Sequence, residues 1–221
     1  MEQRKRIAIY GGTFDPVHSG HLQIARSVLQ LFAIDEFLFV PARVAPHKFD
    51  REISSPLHRF AMLALATRAD PRLCVSTFEL ERDESQYTVD TLFHFRSQLG
   101  ESADLFFVMG ADSWAELTSW REWQRLLTLA NLIVVTRPGH EFSAEHVGPV
   151  TAADVLDLRG ASEGFQERGV QKIFVTDAVM LDVSATEVRR AARENLRDSL
   201  EQLVPLEVAD YIRKYKLYRN T

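Results

Sequence analysis

The stretch Ile7-Ala8-Ile9-Tyr10-Gly11-Gly12-Thr13-Phe14-Asp15-Pro16-Val17-His18-Ser19-Gly20-His21-Leu22 decides how this chain is read. A short apolar run ends in two glycines, and a hydroxyl, a proline and two imidazoles follow where a strand gives way to a helix. A helix start presents unpaired backbone N–H groups and a partial positive charge, so it seats phosphate oxygens. Gly11 and Gly12 permit close backbone approach to a ligand, Thr13 adds a donor, and Pro16 fixes the entry to the helix. His18 and His21, three residues apart, share one face of its first turn. Two blander readings compete. The histidines could ligate a metal, but the chain has one Cys and no Cys-x-x-Cys or His-Glu-x-x-His to supply a third ligand. They could also be solvated at an ordinary turn, which the preceding Gly-Gly-Thr-Phe-Asp-Pro argues against. Neither Gly-x-Gly-x-x-Gly nor a P-loop occurs.

Outward from this stretch, strand-like runs alternate with helical patterns. Strands are predicted at Arg6 to Tyr10, Glu36 to Val40, Leu73 to Thr77, Asp104 to Met109, Leu132 to Thr136 and Lys172 to Thr176. Helices are predicted at His21 to Phe32, Pro56 to Arg68 capped by Ser55, Val89 to Leu99, and an aromatic-rich Ser113 to Leu129. Phe37-Leu38-Phe39-Val40 and Leu105-Phe106-Phe107-Val108 are continuously apolar, as in strands covered on both faces. The expected fold class is therefore α/β, a Rossmann-like doubly wound parallel sheet, with ligands beyond the carboxyl ends of its strands. One domain over residues 1–221 is expected, with a variable excursion of low functional weight at about 139–170 and a C-terminal helical segment from about 184.

Composition narrows the classes. The 221 residues are 46% apolar and 26% charged, enough for one sizeable core. Cys74 is the single cysteine, which rules out an intramolecular disulfide and suits a reducing compartment. The start is too short for a signal-peptide core and no apolar run reaches membrane-spanning length, so a cytoplasmic protein without a membrane partner is expected. A formal net charge of −5 argues against a broad nucleic-acid surface. Positive groups for phosphates must then be gathered locally.

A second helix start supplies them. Ser184, Thr186 and Arg189, in the pattern Ser-x-Thr-x-x-Arg, bring hydroxyls, terminal amides and a guanidinium to one anion, while Glu187 completes a capping box with Ser184. His-x-Gly-His after the first strand resembles the signature of the nucleotidyltransferase superfamily, and Ser-x-Thr-x-x-Arg resembles its second signature. Pro41 to Lys48, Gln86 to Leu92, Gly110-Ala111-Asp112, Trp120 and Arg137-Pro138-Gly139 then follow in order and spacing. Together these motifs resemble the bacterial nicotinate-nucleotide adenylyltransferase family over essentially the whole chain. One departure is visible: Asp83-Glu84-Ser85-Gln86 replaces the family's small Gly-x-Ser lead-in before Tyr87-Thr88.

The resemblance implies transfer of AMP from ATP to nicotinate mononucleotide, giving the dinucleotide and pyrophosphate. It implies His18, His21, Lys48 and Arg189 as catalytic residues. For ATP it implies Gly11, Gly12, Thr13 and Phe14 with His18 and His21, and Asp112, Ser184, Thr186 and Arg189 opposite. For the acceptor it implies Lys48, Thr88, Trp120, Arg121 and Arg137. Mg²⁺ is expected on the ATP phosphates, with no metal site built from side chains, and a homodimer is one possibility. Core packing competes for Trp120, a cap for Asp112 and a surface ion pair for Arg137. Rival activities are transfer to nicotinamide mononucleotide or to pantetheine phosphate, and nucleotide sensing by a decayed site; His18 and the chain length argue against the pantetheine enzyme.

Overall fold

The computed structural model describes residues 4–43, 53–83, 86–136, 142–152, 154–161, 172–177, 181 and 183–219. In chain order these form β1 (Lys5–Gly12), α1 (Ser19–Leu31), β2 (Glu36–Pro41), α2 (Pro56–Thr67), β3 (Leu73–Val75), α3 (Thr88–Leu99) and β4 (Ala103–Gly110). Then come α4 (Ala111–Ala115), α5 (Trp123–Leu129), β5 (Asn131–Val135), α6 (Pro149–Ala152), β6 (Val155–Asp157) and β7 (Ile173–Thr176). The C-terminal part is helical: α7 (Ala185–Arg193), α8 (Arg197–Leu203) and α9 (Leu206–Lys214).

The strands make one sheet in the order β3-β2-β1-β4-β5-β7-β6. Every pairing is parallel. Ile7 stands level with Glu36 on one side and Leu105 on the other, so β1 lies between β2 and β4. The order reverses there, which places the switch point of a doubly wound sheet at the carboxyl end of β1.

Alternating side chains feed two cores, as the period of a strand requires. Ala8, Phe37, Phe39, Phe106 and Val108 pack under α1, α2 and the C-terminal helices. Ile7, Ile9, Leu105, Phe107 and Met109 pack under α3, α4 and α5. In α1, Leu22, Ala25, Val28 and Leu29 form the buried stripe that docks it on the sheet.

Three expectations need correction. The stretch Ser113 to Leu129 is not one helix: a 3-10 turn, Leu117–Ser119, follows α4, Trp120 is extended, and Glu122 takes a left-handed φ of 49° before α5. The sheet has a seventh strand, β6, which pairs with β7 at Val155 and Ile173 inside the supposed excursion. The strand expected to run to Thr77 ends at Val75, where Ser76 N–H still donates to the Phe39 carbonyl before the chain turns.

Candidate active site

At the end of β1 the backbone does something the glycines did not foretell. The left-handed residue is Phe14, with φ 49°, while neither Gly11 nor Gly12 has a positive φ. This turns the Phe14 ring inward, 3% exposed, over Gly12, where an added Cβ would stand 3.0 Å from the ring. The small size of Gly12 thus makes room for Phe14, which supports the site from below. Phe14 meets the His21 ring edge-on at 5.0 Å between centroids, and Tyr10 joins both.

His18 caps α1 with φ −141° and ψ 170°, and its backbone N–H donates to His21 Nδ1 at 3.2 Å. The neutral His21 ring therefore carries its proton on Nε2. The two imidazoles stack at 3.6 Å with 27° between planes. Gly20 permits this, because a Cβ there would stand 3.1 Å from His18 Nδ1. The spacing His-x-Gly-His is thus a packing requirement as well as a chemical one.

The second helix start comes to the same place. A Cβ on Gly20 would lie 3.7 Å from the Val183 carbonyl, at the threshold of α7. Arg189 Nη1 donates to the Asp15 carbonyl at 2.8 Å and Nη2 to Thr186 Oγ1 at 3.0 Å. Ser184 Oγ accepts from Glu187 N–H at 3.2 Å and donates to Glu187 Oε2 at 3.0 Å, closing the capping box. Hydrogen bonds from Ser184, backbone first, hold the Glu187 carboxyl below its ordinary pKa. The Ser184 hydroxyl is committed to the cap, so α7 presents its terminal amides, Thr186 and Arg189 to the cleft.

Across the sheet, Asp112 stands exposed in the first turn of α4, directly after β4. Thr88 opens α3, where the first backbone N–H groups have no helical acceptor. Trp120 is half-buried and meets Phe107 edge-on at 6.4 Å. Its backbone N–H donates to the Leu117 carbonyl. The Arg121 guanidinium lies 4.8 Å over the Tyr87 ring, so it ties the Trp120 turn to the start of α3. Lys48 and Arg137 lie outside the described residues.

The excursion contributes here. Trp114 Nε1–H donates to the Ser143 carbonyl, the Trp114 carbonyl accepts from His146 Nε2, and Phe142 stacks on the indole. Residues 142–146 therefore pack on Trp114 of α4, the helix that leads into the turn carrying Trp120.

Arg59 is a residue that sequence reasoning passed over. It is 1% exposed, and its guanidinium donates to the carbonyls of Thr13, Arg43 and Ser54 at 2.8, 3.1 and 3.0 Å. The loops after β1 and β2 are thereby tied to the start of α2. The signal was available: Arg59 shares the buried face of α2 with Met62, Leu63 and Ala66, where a cation requires partners.

Two helix starts facing one cleft at the switch point of a parallel sheet are the arrangement of a nucleotidyltransferase, and the cytidylyltransferase-like family matches residues 9–191. A protein of Chromobacterium violaceum named as a probable nicotinate-nucleotide adenylyltransferase is 38% identical over 97% of this chain and 99% of its own. One of Thermoanaerobacter with the same name is 35% identical over 100% and 97%. The chain belongs to the cytidylyltransferase-like family and, within it, to the nicotinate-nucleotide adenylyltransferases. The fold is shared by a Plasmodium falciparum nicotinic acid mononucleotide adenylyltransferase solved with NaAD, at a TM-score of 0.72 and 20% identity over 98% of each chain.

Proposed function

We propose that this protein transfers AMP from ATP to nicotinate mononucleotide, releasing pyrophosphate and forming nicotinate adenine dinucleotide. The observation that supports the reading is the bond from Arg189 Nη1 to the Asp15 carbonyl, 174 positions earlier in the chain, which brings the starts of α1 and α7 together. Relatives that span the full chain carry the name of this activity.

The chemistry asks for placement. The attacking phosphate monoester is already ionised, so no covalent intermediate and no strong base is needed; the protein must align two anions and absorb developing charge. The α1 start with His18 and His21 serves the α-phosphate, and Nε2–H of His21 is the donor the cap leaves pointing away from the helix backbone. The α7 start with Thr186 and Arg189 serves the leaving pyrophosphate. Lys48 adds positive charge. Thr88, Trp120, Arg121 and Arg137 serve the acceptor, with Trp120 against the pyridine ring and N–H groups at the start of α3 toward its carboxylate.

A divalent cation, Mg²⁺ in this reading, suits the donor set as a companion of the triphosphate. The cleft is lined by imidazoles, hydroxyls and guanidinium, and among the described residues no group of three or more His, Cys, Asp or Glu could hold a metal. Asp112, exposed in the first turn of α4, is the side chain proposed to meet a phosphate-borne cation, which when bound would neutralise phosphate charge. Among the described residues no helix is long and apolar enough to cross a membrane, and a single cysteine, Cys74, with no intramolecular partner suits the cytoplasm.

The test is pyrophosphate release from ATP with each candidate acceptor. Release with nicotinate mononucleotide, matched by dinucleotide formed, is expected; release with pantetheine phosphate and none with the pyridine nucleotides would refute the reading.

A further inference from the structure

A left-handed backbone at a residue as bulky as Phe14 persists only where its surroundings hold it. Three side chains from remote elements do so. Arg59 donates to the Thr13 carbonyl on one side of Phe14, and Arg189 donates to the Asp15 carbonyl on the other. The third comes from the end of the chain: Tyr218 O–H donates to Asp15 Oδ1 at 2.8 Å, across 203 positions of sequence.

The Tyr218 hydroxyl donates to the loop carboxylate and also shares a hydrogen bond with the Ser54 side chain, so, like Arg59, it links the Thr13-Phe14-Asp15 loop to the start of α2. Both partners are buried, Asp15 at 2% and Tyr218 at 7% exposure, so bulk water cannot take over if the hydroxyl is lost. Burial, with Asp15 beside it, pushes the Tyr218 phenol's pKa up, which keeps it a donor at any working pH. Its ring lies in the same buried core as Val208, Ala209 and Ile212 of α9.

We propose that Tyr218 is a positioning residue for AMP transfer: through Asp15 it holds the Thr13-Phe14-Asp15 loop so that the His18 and His21 helix start faces the triphosphate. The proposal rests on the activity assigned above. It makes the end of the chain part of the site's machinery without contact with substrate.

Tyr218→Phe keeps the ring and deletes the donor. Its kcat should fall about 10- to 100-fold, as for a small misplacement of catalytic groups, with the acceptor KM held. Ile212→Val, which loosens the same packing without touching the hydrogen bond, should lower Tm and keep kcat. A Tyr218→Phe kcat within about twofold of wild type, or an equal kcat loss in Ile212→Val, would overturn the proposal. Should Tyr218→Phe fail to fold, Asp15→Asn keeps an acceptor for Tyr218 and should turn over well above Asp15→Ala; equal turnover overturns it. Amide hydrogen exchange at Phe14 and Asp15 needs no substrate, so it separates this proposal from the assigned activity. Faster exchange in Tyr218→Phe is expected, and unchanged exchange overturns the latch even if wild type proves inactive as an adenylyltransferase.

Discussion

His21 is held in place before any substrate arrives. Its Nδ1 accepts from the His18 N–H, His18 stacks on its face, and Phe14 and Tyr10 close on its edge. Removing such a preorganised donor should cost turnover, so His21→Ala is expected to lose about 10²- to 10³-fold in kcat with a much smaller change in ATP affinity. Steady-state kinetics check this, and a folded variant keeping a third of wild-type kcat would refute the assignment. Gly20→Ala tests the packing requirement, since its Cβ would meet His18 Nδ1 and Cε1 at 3.1 and 3.2 Å. A fall in kcat with little change in Tm is expected. Both histidines were legible because a helix start with that spacing has few other uses. The left-handed turn at Phe14 was not: sequence credits conformational freedom to glycine, whereas here tertiary contacts hold a phenylalanine in that region.

Elements were legible where local chemistry sets their ends. Ser184 and Glu187 form the capping box that their spacing predicts, and Ser55 caps α2 ahead of Pro56. The stretch after β4 misled because its apolar density suits a helix, while buried Trp114 is pinned by residues 142–146 and a turn follows before Trp120. At this scale Arg189→Ala should raise the KM for ATP and slow turnover while the acceptor KM stays put, and unchanged ATP kinetics would separate α7 from the pyrophosphate. Glu79 fixes the start of α3 from the loop after β3, accepting from Thr91 Oγ1 at 2.7 Å. Burial pushes its carboxyl above the ordinary pKa of 4.5. As pH rises past 4.5 the unfolded chain releases this proton first, so the fold loses stability until the raised pKa is passed. Glu79→Gln keeps an acceptor and removes that loss. Its Tm should exceed wild type at about pH 8, with the gap closing near about pH 4; a gap that widens toward acid would contradict this.

For the whole molecule, the parallel sheet was legible because Phe37 to Val40 and Leu105 to Val108 are apolar at every position and feed a core on each face. The edge strand β6 was not, since Val155–Asp157 is three residues in a polar setting and gains its identity only by pairing with β7. Joining the ends of the chain is likewise a property of the fold: Arg189 and Tyr218 both reach Asp15. That closure brings the two helix starts together, and the Arg121 contact with Tyr87 ties the turn that carries Trp120 to the start of α3, the proposed acceptor site. Stacking on Trp120 cannot tell the acid from the amide, because both rings present a similar face. Backbone donors can: charge-assisted bonds to a carboxylate are about twice as strong as those to a neutral amide, and an amide NH₂ leaves a donor unpaired. The most direct measurement is therefore kcat/KM for nicotinate mononucleotide and for nicotinamide mononucleotide under one set of conditions with wild-type protein. A preference for the acid above about 100-fold, equivalent to roughly 3 kcal/mol, is predicted, and comparable values for the two acceptors would contradict the account.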